Sequence, residues 1–211
     1  MTGSPLWIDQ ALSSARYAPY LARSGGDSAF AQQLYDWNVS VSKEFYTPLN
    51  WLEVSLRNAV HYQLMAKWAR PDWWDAAPLD HLGKGAVAHA RAKVKRQSYS
   101  ADDVVAQLTF GFWVSLFSAA NDRTMWVPCL HKAFPHYRGP RKVLHRELDT
   151  IRLFRNRIMH HEPIHHRHLE ADHRTMHRVI GYISADTAAH LVARDTVPVV
   201  LASRPVRATV R

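Results

Sequence analysis

Between Arg155 and His166 the chain reads RNRIMHHEPIHH. Two arginines flank Asn156, and the pairs His160-His161 and His165-His166 flank Glu162-Pro163. Such residues can hold a metal, move protons or simply hydrate a surface. Two ligands on one helix share an ion most readily at i and i+4. His173 and His177 have that spacing; so do His161 and His165, but Pro163 breaks the helix between them. Proton transfer asks for less. Asn156 and His160 are also i, i+4 and share a face. Arg155 lies five residues before His160, about 140° around the helix, within swing of the same anion. A guanidinium offers a permanent charge and a planar fork to phosphate oxygens. An imidazole titrates near neutrality. RNA carries its own nucleophile, the 2′-OH beside the scissile phosphate. Phosphodiester cleavage of this kind calls for no metal and no cofactor. His165 and His166 then read as polar surface or, at most, as RNA contacts.

Other chemistries have no footing. The sequence has no Gly-rich phosphate loop and no GxSxG; HEPIH at 161–165 has the letters of HExxH, but Pro163 breaks the helix on which that motif must sit. Cys129 is its only cysteine, so neither an intramolecular disulfide nor a Cys-based zinc site can form. An early segment, LEVSLRNAVH, adds Glu53, Arg57, Asn58 and His61. Glu53 and Arg57 have ion-pair spacing along one helix; alternatively, either residue reaches across to orient Arg155 and His160. A third segment is basic: Lys84, Arg91, Lys93, Lys95 and Arg96 form either a solvated helix face or a phosphate-tracking surface. The aromatics of DWW and WNVSVSKEFY read as core or, alternatively, as rings that stack bases, and TFGFW reads as packing.

Helices must position these residues. A short one precedes Gly25-Gly26, with Pro19 as a possible divider. Phe30, Leu34, Trp37 and Val41 recur at helical spacing behind an Asp27 or Ser28 cap. A separate amphipathic helix carries Leu49, Leu52, Leu56, Val60, Leu64 and Trp68, closed by Pro71. Val143 to Ile158 marks the long helix, whose end Pro163 fixes near His161 or Glu162. Alternating apolar runs are absent except around Val197–Leu201. The expectation is an all-α helical bundle over 1–196, with 197–211 as an extended or disordered tail.

The chain has 211 residues, 27 Lys+Arg against 18 Asp+Glu, and 14 His. A formal charge of +9 favours a polyanionic partner, nucleic acid before membrane surface. No stretch approaches the roughly 18 apolar residues of a membrane span, and the first 25 residues show no basic n-region followed by an apolar run. The expected address is the cytoplasm, with no membrane partner.

LRNAV early, LTFGFWVSLF in the middle and RNRIMHHEPI late, in that order, resemble the Abi-like abortive-infection proteins of bacteria (AbiD/AbiF type). RNRIMHH itself is similar to the R-polar-x3-H signature of the HEPN ribonuclease superfamily. The resemblance covers roughly residues 10 to 185. It implies a HEPN-like bundle, a two-fold homodimer with a composite active site, and metal-independent endoribonuclease activity in antiphage defence. It places Arg155, Asn156 and His160 in the catalytic set, with His161 as the alternative histidine. Glu162 matches the extension of the signature. His160 would act as base toward the 2′-OH or acid toward the 5′-oxygen, leaving a 2′,3′-cyclic phosphate. The competing reading is a non-catalytic RNA-binding or toxin–antitoxin module, holding a structured RNA on the Lys84–Arg96 face or pairing with a protein antitoxin.

Overall fold

A computed structural model describes residues 6–94 and 99–207. The described residues are all-α, with no strand among them. Helices α1 (Leu6–Leu12) and α2 (Ser14–Arg23) are separated at Ser13, whose φ is 63°, and Pro19 lies inside α2 without dividing it. Gly25 and Gly26 then turn the chain with φ of 63° and 86°, a region L side chains avoid.

Helix α3 (Ser28–Trp68) runs 41 residues and fuses what the sequence reads as two helices. Asp27 caps it, its carboxylate accepting the N–H groups of Ala29 and Phe30. Pro48 sits inside and is buried. It removes one backbone hydrogen bond and crowds the preceding turn, at a cost of about 3 kcal/mol. The apolar stripe continues across it: Leu34, Val41, Phe45, Leu49, Leu52 and Leu56 are all buried. At roughly 1.5–3 kcal/mol for each such side chain, burial outweighs the broken bond. The helix ends at Ala69 in the left-handed region, two residues before Pro71.

Short pieces follow. Helix α4 (His81–Lys93) packs on α5 (Ala101–Gln107), and α6 (Phe110–Ser115) is buried as its all-round apolarity requires. Single-turn segments cover the proline-broken stretch to Pro140. Helix α7 (Arg141–Met159) packs against α6 and α8 (Leu169–Ile183), followed by α9 (Ala185–Val192). The central α3 touches α2, α6, α8 and α10.

The expected extended tail is corrected here. Val197–Ala202 forms helix α10, with Pro198 in its first turn. It docks: the Trp37 indole N–H donates to the Val200 carbonyl at 2.8 Å, and Val197 is buried. No helix among the described residues is long and apolar enough to cross a membrane.

Candidate functional site

The end of α7 is a hydrogen-bonded turn with a defined pattern. The His161 N–H donates to the Ile158 carbonyl, and the Glu162 N–H reaches back to the Arg157 carbonyl at 2.8 Å. This is the Schellman arrangement, which requires a left-handed residue just past the helix. Here that residue is His161, with φ of 56°, where glycine is the usual choice. The Arg157 guanidinium donates to the Pro163 carbonyl and sits 3.4 Å from the Glu162 carboxylate. Glu162 therefore braces the turn. Arg16, on α2, donates to the His161 carbonyl.

This turn places the candidates. His160 is the C-cap, just past the last helical residue Met159; it is exposed, with no side-chain hydrogen bond or ion pair among the described residues. Asn156 is one turn earlier and half-buried. Arg155 is half-buried too, its Nε 3.4 Å from Glu53 Oε2 on α3. Glu53 thus faces across the bundle instead of pairing with Arg57, whose Nε approaches Asn58 Oδ1. Arg57 and His61 line a different, smaller cleft. There the Trp73 indole donates to His61 Nδ1, and burial holds the His61 imidazole below its ordinary pKa.

A cleft of about 750 Å³ opens beside the turn. One wall is the Asn38–Thr47 face of α3, including Lys43 and Tyr46; the other is Ile158, Met159 and His161. Tyr20 and Tyr35 close one end. Of the two candidate histidines, His161 lines this cleft and His160 does not.

His165 is corrected from surface to core. It is 3% exposed, its ring 4.8 Å from Tyr20, and neither ring nitrogen has a hydrogen-bond partner. Burial, reinforced by His166, Arg204 and Arg23, depresses its pKa to about 4. It follows Pro163 into a loop held by Asn38, whose Oδ1 accepts the N–H groups of Ile164 at 2.8 Å and His165 at 3.0 Å. His166 stays exposed.

The basic segment is less free than its composition suggests. Arg91 donates to Asp75 at 2.6 Å and lies over the Trp74 ring. Lys84 and Lys93 are exposed. Lys95 and Arg96 lie outside the described residues.

Sequence reasoning missed two residues that build the site, Asn38 and Arg157. Asn38 had a signal: a polar residue at i+4 from Leu34, inside an apolar stripe. Arg157 was visible within the motif, but its bond to a carbonyl beyond Pro163 was not. Searches against models of known protein families, curated proteins and solved structures found no match for the chain.

Proposed function

We propose that the chain is a metal-independent endoribonuclease of HEPN type, with Arg155, Asn156 and His160 as its catalytic set. The observation that carries the reading is the end of α7. Within six residues the Schellman turn presents an unpartnered, exposed imidazole, and a guanidinium pre-positioned by Glu53 precedes it. The cleft on the His161 side of the turn, which Arg155 and His160 do not line, offers Tyr35 and Tyr46 for base stacking and Lys43 for phosphate.

The chemistry runs as a transesterification. An imidazole removes the 2′-OH proton, the 2′-oxygen attacks phosphorus, and the 5′-oxygen leaves with a proton from an acid. One exposed histidine per chain supplies one of these roles, and a two-fold homodimer would supply both. Arg155 stabilises the charge building on the phosphate oxygens. Abortive infection, an antiphage response, is the biological setting that the sequence resemblance suggests.

Purified protein mixed with end-labelled RNA in magnesium-free buffer tests the reading. The expected products carry 2′,3′-cyclic phosphate and 5′-hydroxyl ends. His160→Ala and Arg155→Ala should each lower the rate about 10²–10⁴-fold. Undiminished cleavage by the His160→Ala protein, or 5′-phosphate products, would overturn it. RNA retention without cleavage would instead favour the binding module on the α4 face.

A further inference from the structure

Away from the α7 turn, three side chains converge at the C-terminal edge of the bundle. His173 and His177 stand one turn apart on α8, with ring centroids 4.5 Å apart. Asp195, in the turn before α10, points a single oxygen at both. Its Oδ2 is 2.5 Å from His173 Nε2 and 2.6 Å from His177 Nε2. The ligand atoms all lie within 4.8 Å of one another. The Asp195 side chain is 6% exposed and each imidazole 15%.

Asp195 Oδ2 faces both Nε2 atoms at once, so two imidazole nitrogens and a carboxylate oxygen already converge on one point, as the ligands of a single ion must. We infer that His173, His177 and Asp195 form a binding site for one divalent first-row transition ion of the zinc class.

Two imidazoles and a carboxylate are the borderline donor set such ions take, whereas magnesium and calcium take oxygen ligands. Tetrahedral coordination with bonds of about 2.0–2.2 Å separates ligand atoms by about 3.3 Å. The two N···O distances would therefore open by less than about 1 Å. Asp195 can yield that distance because it belongs to a turn, while both histidines stay on their helix. The fourth position falls to water from the shallow cleft that His173 lines with Glu170 and Arg174. The role is structural. Asp195 Oδ1 accepts the Val197 N–H at the start of α10, and Thr196 donates to Glu44 on α3. An ion here would fasten α8 to the turn that docks α10.

The inference stands apart from the RNA reading, because its readout is stoichiometry and melting, not cleavage. Full-length protein is stripped with chelator, re-equilibrated with zinc or cobalt and dialysed. The expected result is one ion per chain, visible cobalt bands of four-coordinate intensity, and a melting temperature higher by roughly 5 °C. His173→Gln/His177→Gln and, separately, Asp195→Asn should lose the bound ion and the melting shift. If the double variant does not fold, the wild-type cobalt spectrum and Asp195→Asn decide the matter. Two results would overturn the site: no stoichiometric uptake, or the same uptake in the variants, which would place the ions on the chain's other histidines.

Discussion

At the residue scale, His165 shows how burial changes what a side chain can do. Its imidazole protonates at about 4 in the folded chain, against an ordinary value near 6.5. As pH falls, the unfolded chain takes up the proton first. Stability from this group is complete above about pH 6.5 and is lost as pH drops toward 4, by roughly 3 kcal/mol. The His165→Phe protein keeps a ring against Tyr20 and has nothing to titrate. Urea midpoints at pH 7 and pH 4.5 should show its acid sensitivity reduced by roughly 2–3 kcal/mol relative to wild type. His61, His145, His166 and His177 shift in the same direction and will retain the remainder. Asp195 behaves differently: burial pushes its carboxyl up, but the His173 hydrogen bond, the Val197 N–H and two neighbouring imidazoles outweigh it and hold it low. None of this was legible in HHEPIHH. The two histidine pairs look alike in sequence, and only the loop beyond Pro163 decides that His165 turns inward.

At the scale of elements, helical periodicity made the class readable, and local breakers misled. Pro48 looked like a boundary because its local penalty is real; the apolar stripe on either side carried α3 through it. Val197, Val199 and Val200 looked extended because β-branched residues favour strands, but Pro198 at the first turn and the Trp37 bond favour a helix. Helix α7 ends two or three residues before the expected His161 or Glu162, and the handedness of its end was hidden, because histidine stands where glycine is expected. That gives a sharp test. His161→Gly relieves a left-handed strain of about 1–2 kcal/mol, partly offset by the freer unfolded chain. The net gain should be roughly 0.5–1 kcal/mol, a rise in melting temperature of about 1–4 °C. RNA cleavage should persist in this variant if His160 is the proton carrier; its loss would move that role to His161.

At the scale of the whole molecule, a net charge of +9 is not spread evenly over free cations. Many arginines are tied to carboxylates: Arg141 to Asp122, Arg167 to Asp172, Arg178 to Glu147, Arg91 to Asp75. Lysines such as Lys84 and Lys93 remain exposed. Lys84→Glu/Lys93→Glu should therefore weaken RNA binding for all sequences alike and flatten the log K against log[salt] slope by about 1 or more. Arg91→Ala should leave that slope nearly unchanged, because its charge is already spent on Asp75. Filter-binding titrations at several salt concentrations separate the two. Equal effects from both variants would assign α4 no special part in RNA contact. Composition gave the excess of cations, but not which of them are tied to carboxylates.

Adjacent residues on α3 fasten the far end of the chain: Trp37 holds Val200, and Asn38 holds Ile164 and His165, with sequence separations of 126 to 163 residues. Arg204 closes the loop, stacking on Trp37 and donating to the His165 carbonyl. Contacts this distant in sequence form late in folding. A ribosome delivers the chain from its N-terminus, so α3 emerges long before any of its fasteners. The cleft between the Asn38 wall and the wall of Ile158 and His161 cannot be assembled until residues past 160 have left the exit tunnel. If this surface cleaves RNA as proposed, a half-made chain beside its own messenger and ribosome cannot yet do so.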